Sequence, residues 1–300
     1  MGAQLRLLRR RIRTVRSIAK ITRAQELIAS SRIIRAQQRM QAAVPYEQEI
    51  TRAVSAVLSY DTSAEHPLMA AKKNPQSAGV LIVTSDRGFA GGFNASILRE
   101  AEALAGLLRE QGITPKPYVV GRKGIGWHRF RNREMNGEWS GFTDNPSYAH
   151  AKEIGETLIK AFEDDNGIDE IHVVYTEFVS MLTQRPVVRR ILPLEVEEST
   201  EEPPGGAFPY YEFEPTAADV LDRLLPRYIE SRIFNALLQS AASEHAARRR
   251  AMKSATDNAN ESIQKLSQLM NQARQAEITQ EISEIVGGAN ALADAAAGKE

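Results

Sequence analysis

The residue types that perform most protein chemistry are sparse in this sequence. Cysteine is absent, which excludes disulfides, thiolate metal sites and cysteine nucleophiles. No two of the five histidines stand at the spacing of metal ligands; they are His66, His128, His150, His172 and His245. No Gly-x-Ser-x-Gly elbow offers a nucleophilic serine, and the adjacent Asp164 and Asp165 are interpreted as a solvated turn. We therefore expect no catalytic set, no metal site and no cofactor.

Two glycine-rich stretches could bind a phosphate. Ser85-Asp-Arg-Gly-Phe-Ala-Gly-Gly92 follows a predicted strand and precedes a predicted helix, a place where backbone N–H groups can hold an anion. The Gly-Lys-Ser/Thr of a P-loop is absent, and Gly121-Arg-Lys-Gly-Ile-Gly126 is only a weak, reversed match to a dinucleotide fingerprint. A tight turn between strand and helix is the plainer interpretation of both, with phosphate binding left open. The candidate residues of the first turn are Asp86, Arg87, Gly88, Gly91 and Gly92.

The longest pattern in the chain is an apolar stripe between Ala217 and about Leu292. This stretch has no proline after Pro226 and no glycine until Gly287. Steps of four and three residues are typical of a coiled coil, and here they pass through Leu238, Ala241, His245, Arg248, Met252, Ala255, Ala259, Ser262, Leu266, Leu269, Ala273 and Ala276. Alanine dominates the stripe and buries little apolar surface. The pattern therefore favours a shaft surrounded by a partner over a tight dimerisation helix.

The N-terminal end carries a second stripe with the same period. Its members are Leu8, Ile12, Val15, Ala19, Thr22, Glu26, Ala29, Ile33, Ala36, Met40 and Ala43, and the phase resumes at Ile50, Val54 and Val57. Pro45 should kink this helix, because proline removes a backbone donor. Two such helices at opposite ends of one chain predict an antiparallel intramolecular coiled coil. The C-terminal helix is the longer one and must overhang its partner.

Between the two stripes the pattern changes to that of a small α/β domain. Strands are predicted at 79–84, 117–120, 170–176 and 187–196, and helices at 94–109 and 148–162. An edge hairpin is predicted from 197–206 and 208–213. Alternating strands and helices indicate a mainly parallel, Rossmann-like sheet. The predicted organisation is an N-terminal coiled-coil helix (1–60), a linker (61–77), the α/β domain (78–214) and a C-terminal coiled-coil helix (215–300).

The charge is unevenly distributed although the formal net charge is zero. Arginine and lysine cluster between Arg6 and Arg39, where Glu26 is the only acidic residue. Such a helix could bind nucleic acid, meet an acidic protein or simply serve solubility; aromatic residues for base stacking are absent from Leu5 to Val44. No run of about 20 apolar residues is present, so no membrane-spanning helix is expected.

Five motifs, in order along the chain, resemble the γ subunit of F-type ATP synthases. They are Lys20-Ile-Thr-Arg-Ala24, the stretch Ser85–Asn94, Ala242-Ser-Glu-His-Ala-Ala-Arg248, the stretch Ala251–Asn258 and the stretch Arg274–Ala289. The similarity covers essentially the whole chain. It implies a non-catalytic central rotor shaft whose partners are the α and β subunits, the ε subunit and the membrane rotor ring (c-ring). It also implies a peripheral place at the cytoplasmic face of a bacterial plasma membrane, with no nucleic acid bound.

The resemblance also implies particular contacts. Arg248, Arg274 and Gln275 correspond to the family's contacts with the β subunit, and Thr279 and Glu281 would join the helices to each other or to β. It places Gln25 near Arg274 and Thr279. Gln25, Ala90, Arg249 and Met270 depart from the residues that the family often has at these positions.

An apolar stripe in the overhang is expected to lie in an apolar sleeve formed by the partner ring, because an exposed stripe would promote aggregation. Its residues are Ile278, Ile282, Ile285, Val286 and Leu292. The alternative function is a nucleotide- or RNA-binding α/β module with a coiled-coil arm. Tight nucleotide binding by the isolated chain would favour that alternative.

Overall fold

The computed structural model describes residues 2–60, 66–164, 167–194, 214 and 216–297, with only the backbone for residues 2, 60 and 291–297. In chain order the elements are α1 (Gly2–Tyr60), a 3-10 turn (Pro67–Met69), β1 (Ser77–Val83), α2 (Phe93–Glu110), β2 (Thr114–Val120), α3 (Arg122–Phe130), β3 (Gly137–Trp139), α4 (Tyr148–Glu163), β4 (Glu170–Phe178), β5 (Gln184–Leu192) and α5 (Ala217–Ala297). The predicted edge hairpin, Asp165 and the Leu292 side chain lie outside the described residues.

The predicted strands and helices of the α/β domain are confirmed, whereas α3 and β3 were not predicted. Helix α3 has nine residues and contains Gly124 and Gly126, and glycine is a poor helix former. Strand β3 has only three residues, too few for an alternating pattern to be recognised. These two elements depend on neighbours that are distant in sequence.

The sheet has five strands in the order β3-β2-β1-β4-β5. The first four strands are parallel, and β5 runs antiparallel to β4, which confirms the mainly parallel prediction. Strand β1 is buried along its whole length because both faces of the sheet are covered. On one face Val80 and Ile82 pack with helix α2, and on the other Leu81 packs in one cluster with residues of α4 and α5.

The chain forms two compact units, residues 29–249 and a terminal unit of residues 1–28 with 250–300. The boundaries of these units, after residues 28 and 249, differ from the boundaries of the predicted segments. The reason is that parts of both long helices belong to the core of the α/β domain. Val54 and Val57 of α1 and Leu221, Leu225 and Ile229 of α5 are buried in one cluster with the sheet.

Within the 29–249 unit the two long helices run antiparallel. Glu47 of α1 forms an ion pair with Arg232 of α5 and a hydrogen bond with Asn235. Further back along α1, Arg32 and Ala36 line a cleft together with His245, which lies further forward along α5. The antiparallel pairing predicted from the two stripes is therefore confirmed here.

The predicted stripe of α1 is confirmed, since all its positions are buried or half-buried. The helix is assigned without a break through Pro45. In the α5 part of the terminal unit, five of the eight predicted stripe positions are right. Met252, Ala255, Ala259, Leu266 and Ala273 are buried or half-buried, whereas Ser262, Leu269 and Ala276 are exposed.

Three positions that lie one residue further on than predicted are covered as well: Thr256, Ile263 and Met270. From Met252 the predicted stripe takes a step of three residues and then one of four, whereas the buried positions follow a step of four and then one of three. Both orders place small or apolar residues at most positions of this alanine-rich stretch, so composition does not distinguish them.

One contact fixes the register of the helices in the terminal unit. The Thr22 and Thr256 hydroxyl oxygens are 2.7 Å apart and buried. Arg274 lies about 27 Å further along α5 than Thr256, at a rise of about 1.5 Å per residue. Gln25 is exposed and only one turn from Thr22, so the expectation that it lies near Arg274 and Thr279 is wrong. The short motifs that suggested this contact carry no information on how α1 and α5 are aligned along their length.

A pair of engineered thiols tests this register directly, since the chain has no cysteine of its own. The double variant Thr22→Cys with Thr256→Cys should form a disulfide under mild oxidation, because the two hydroxyl oxygens already touch and a disulfide needs close β-carbons. Non-reducing electrophoresis would detect the cross-linked form. The pair Gln25→Cys with Arg274→Cys is the control and should remain reduced; the opposite pattern would refute this register.

Candidate functional site

The turn after β1 is held by the carboxylate of Asp86. Its oxygens accept N–H groups from Arg122 (3.1 Å), Gly141 (2.7 Å) and Thr143 (3.1 Å). These three donors belong to the segments that follow β2 and β3. One carboxylate therefore joins the loops at the carboxyl edge of three neighbouring strands.

The same turn is closed on itself by side chains. Ser85 donates its backbone N–H to Asn94 Oδ1 (2.9 Å), and Asn94 Nδ2 donates to the Ser85 hydroxyl (2.8 Å). The Ser85 hydroxyl in turn bonds to the carbonyl oxygen of Arg87 (2.7 Å). Internal partners thus satisfy polar groups that line the start of α2.

The second glycine-rich stretch is also a tight turn. Gly121 has φ +96°, and a β-carbon there would lie 2.5 Å from the carbonyl oxygen of Thr84. The Thr84 hydroxyl accepts the N–H of Gly124 (2.9 Å). Glycine is required because the turn from β2 into α3 passes directly against the end of β1. The plainer interpretation of both stretches, a turn between strand and helix, is confirmed.

Helix α5 inserts Arg248 against the first of these turns. The Arg248 side chain is 8% exposed, and its Nη2 lies 2.6 Å from Glu244 Oε1, one turn earlier on the same helix. It also donates to the carbonyl oxygen of Gly88 (3.3 Å). The turn therefore presents carbonyl oxygens to a cation, which is the opposite of the N–H cradle that a phosphate needs.

This placement corrects the expectation that Arg248 contacts the β subunit. Its guanidinium is enclosed by its own chain and already has a carboxylate partner. Burial raises the pKa of Glu244, and the neighbouring Arg248 opposes that rise. The pair satisfies two charges that would be costly to bury separately.

His245 lies between Arg248 and the loop after β3. Its Nδ1 accepts from Arg248 Nη1 (3.3 Å), and its Nε2 donates to the carbonyl oxygen of Asp144 (3.2 Å). Burial lowers the pKa of His245 to about 4, and the nearby Arg248 and Arg32 charges act in the same direction. The imidazole is therefore neutral at neutral pH and carries its proton on Nε2.

Asp144 extends this network to α1. Its carboxylate lies 2.7 Å from Arg32 Nη1 and 3.7 Å from Arg87 Nη1. We call the connected set the junction: Arg32, Asp86, Arg87, Gly88, Asp144, Glu244, His245 and Arg248. It joins both long helices to the carboxyl edge of the sheet.

The sequence had indicated only part of the junction. Glu244 and Arg248 stand four residues apart, the spacing of a helical ion pair, so their pairing could have been recognised. Arg32 was one member of a long basic cluster, and Asp144 carried no signal. Their partners are more than 100 residues away in sequence.

The remaining candidate contact residues lie together on the exposed part of α5. Arg274, Gln275, Thr279 and Glu281 are all exposed, and the Thr279 hydroxyl bonds to the carbonyl oxygen of Gln275 in its own helix. Antiparallel pairing from Thr22 brings the start of α1 level with about residue 276. These residues therefore lie at or beyond the end of α1, as the predicted overhang requires.

The apolar stripe of the overhang is exposed. Ile278, Ile282, Ile285 and Val286 are 45%, 56%, 71% and 52% exposed, respectively. Contiguous exposed apolar residues of this size indicate an interaction surface.

Among the described residues, no group of three or more histidine, aspartate or glutamate side chains could hold a metal ion. Nor does any described helix have an apolar window long enough to cross a bilayer. The fold and the junction define the class of protein. Two long terminal helices pair with each other beside an α/β domain, and α5 closes the sheet edge where an α/β protein usually binds its ligand.

Comparison with known proteins identifies the family. Residues 4–292 match the family model described as ATP synthase. The ATP synthase gamma chain of Acidothermus cellulolyticus is 64% identical over 295 residues, which cover 97% of this chain and 98% of that one. That of Thermobifida fusca is 56% identical over the full length of both chains. The chain belongs to the ATP synthase γ-chain family.

Solved structures agree on the fold. A chain in the cryo-EM structure of the Euglena gracilis mitochondrial ATP synthase (OSCP/F1/c-ring, rotational state 3) superposes with a TM-score of 0.69 at 17% identity. The superposition covers 97% of this chain and 95% of that one. The Tetrahymena thermophila mitochondrial central stalk/c-ring structure gives a TM-score of 0.59 at 22% identity.

Proposed function

We propose that this chain is the central rotor shaft of a proton-driven F-type ATP synthase. It performs no chemistry and transmits torque between the membrane rotor ring and the catalytic ring of α and β subunits. The observation that carries the proposal is the overhang of α5, a helix end with an exposed apolar stripe in a member of the γ-chain family. Such a surface needs a partner that encloses it.

The partners are assigned to separate surfaces. The α and β subunits form an apolar sleeve around Ile278, Ile282, Ile285, Val286 and Leu292. Arg274, Gln275, Thr279 and Glu281 flank this stripe, and their polar groups meet the β subunit. Gln25 is exposed on α1 and faces the same ring rather than the far end of α5.

The α/β domain contacts the ε subunit and the membrane rotor ring. This arrangement places the chain at the cytoplasmic face of a bacterial plasma membrane, held there by the complex. Support comes from bacterial relatives that match over the whole chain. Further support comes from the fold shared with a chain described as central stalk and c-ring.

The alternative function, nucleotide or RNA binding, is disfavoured by the junction. Arg248 occupies the turn where a nucleotide phosphate would have to bind, and the turn offers it carbonyl oxygens. The γ-chain relatives support the shaft and not this alternative.

A pull-down from detergent-solubilised membranes tests the proposed function. The tagged chain should retain the α, β and ε subunits and the membrane rotor ring. Recovery of the folded chain without the α and β subunits would refute the proposal, and tight nucleotide binding by the isolated chain would revive the alternative.

The sleeve predicts a specific solubility defect of the isolated chain. Truncation after Gln275 should raise its solubility, because the exposed stripe is removed. A full-length variant with Ile278, Ile282, Ile285 and Val286 replaced by serine is the matched control for length and should be as soluble as the truncated form. Sedimentation of concentrated samples measures the effect. Equal solubility of the serine variant and the unmodified chain would contradict the sleeve.

A further inference from the structure

Helix α5 contacts the α/β domain through two kinds of interaction. From Leu221 to Leu237 the contacts are mainly apolar, with Leu225, Ile229 and Ile233 fully buried in the main cluster. Two polar contacts also join side chains there: Asp222 pairs with His66 (2.9 Å), and Glu230 accepts from the Tyr148 hydroxyl (2.7 Å). These side-chain contacts hold this part of the helix against the domain.

From Gln239 onward α5 bonds to backbone atoms of the domain. The N–H of Phe178 donates to Gln239 Oε1 (3.1 Å), and the Ser243 hydroxyl donates to the carbonyl oxygen of Thr176 (3.1 Å). Arg248 then reaches the carbonyl oxygen of Gly88. Hydrogen bonds depend on angle as well as distance, so this part of α5 has a defined rotational position on the domain.

We propose that Arg248, oriented by Glu244, is the clamp that prevents α5 from turning relative to the α/β domain when torque passes between them. Arg248 is thus a positioning residue for the rotary function and not a contact to the catalytic ring. The proposal rests on the proposed function, since a clamp of this kind matters only under torque.

The geometry of the clamp suits this role on both sides. Glu244 and Arg248 lie on the same helix at 2.6 Å, so the guanidinium must move when α5 turns. On the domain side, Gly88 belongs to the turn that Asp86 fixes through three backbone N–H groups. The clamp therefore connects α5 to the backbone at the edge of the sheet.

A planar guanidinium is required because it bonds in two directions at once. It reaches the Glu244 carboxylate and the Gly88 carbonyl together, whereas the compact ammonium of lysine lacks the rigid fork. Arg249 is the matched control. It is the next residue and has the same chemistry, and among the described residues its side chain makes one hydrogen-bond contact, from Nη1 to the Met181 sulfur at 4.0 Å.

The test uses the assembled enzyme in inverted membrane vesicles and measures proton pumping per ATP hydrolysed. Arg248→Ala should lower this ratio by about threefold or more, since charge-assisted hydrogen bonds are among the stronger polar contacts. Arg248→Lys should give an intermediate loss, and Arg249→Ala should couple like the unmodified enzyme. The amount of γ chain in the complex and the rate of ATP hydrolysis are measured in parallel.

Chemical rescue makes the test specific to the guanidinium. Arg248→Ala removes the guanidinium that bonds to the Glu244 carboxylate and to the carbonyl oxygens of Arg87 (3.5 Å) and Gly88 (3.3 Å), and we expect a free guanidinium ion to take its place. Guanidinium chloride at roughly 20 mM, far below denaturing concentration, should restore at least half of the lost coupling in Arg248→Ala and leave Arg249→Ala unchanged.

Each outcome decides the proposal. Equal coupling of Arg248→Ala and Arg249→Ala overturns the clamp, and so does coupling in Arg248→Lys equal to that of the unmodified enzyme. The lysine variant decides the matter if Arg248→Ala fails to assemble. Absence of the unmodified chain from the complex would instead refute the proposed function. The pull-down described above tests that function first and separately.

Discussion

Replacing Gly121 with alanine should destabilise the 29–249 unit by about 3–5 kcal/mol, the sum of backbone strain and overpacking. Gly121 has φ +96° and ψ 136°, a conformation that residues with a β-carbon rarely adopt. The added carbon would also lie 2.5 Å from the Thr84 carbonyl oxygen and 2.7 Å from its carbonyl carbon. Backbone atoms at the end of a buried strand have little freedom to move aside.

Urea unfolding of the isolated chain, followed by tryptophan fluorescence, measures this effect. Both tryptophans of the chain, Trp127 and Trp139, belong to α3 and β3 beside this turn. Gly126→Ala is the control, because Gly126 lies in the same helix with no atom within 4 Å of its added β-carbon. That variant should be neutral or more stable by about 0.5–1 kcal/mol from helix propensity. Equal midpoints for the two variants would refute the close approach at Gly121.

The second large effect concerns pH and His245. Its pKa is about 4 in the folded chain because of burial, against about 6.5 in the unfolded chain. The unfolded state therefore binds the proton more readily between these values. The stability contributed by neutral His245 is complete above about pH 6.5 and is lost as the pH falls to 4. The full loss is about 3 kcal/mol for a difference of this size.

Comparison with His245→Gln isolates this contribution. Glutamine can still donate to the carbonyl oxygen of Asp144 but does not titrate. The other charged groups around the ring, Arg32, Asp144, Glu244 and Arg248, are present in both chains, so their pH dependence is common to both. The free energy of unfolding of the unmodified chain should fall relative to the variant by up to about 3 kcal/mol between pH 7.5 and pH 4. Parallel curves would show that His245 is not buried as a neutral group.

The parts of the fold that follow from local periodicity could be predicted from the sequence. Every predicted position of the α1 stripe is buried or half-buried, because steps of four and three residues keep one face of a helix against its neighbours. Three of the eight distal α5 positions are wrong, because Ser262, Leu269 and Ala276 are no less compatible with a helix interface than Thr256 and Ile263. The strands β1, β2, β4 and β5 were recognised from their β-branched runs.

The junction could not be predicted because its partners are far apart in sequence. Arg248 on a coiled-coil stripe is equally consistent with contact to a partner and with burial in its own chain. The choice depends on Gly88, 160 residues away, and on Glu244 being in position to neutralise the charge. The register of the terminal helices likewise depends on one hydroxyl pair, Thr22 and Thr256, that no local pattern identifies.

Helix α5 is continuous from Ala217 to Ala297. In a continuous helix, the number of residues between two side chains determines the angle between them about the helix axis. Each residue advances the helix by about 100° and 1.5 Å. One residue inserted between Thr256 and Ile278 would turn the apolar stripe by about 100° relative to Thr256 without altering any side chain. Seven inserted residues would return it to within about 20° of its former direction. The angle between Thr256, which pairs with α1, and the apolar stripe is therefore set by the number of residues that separate them.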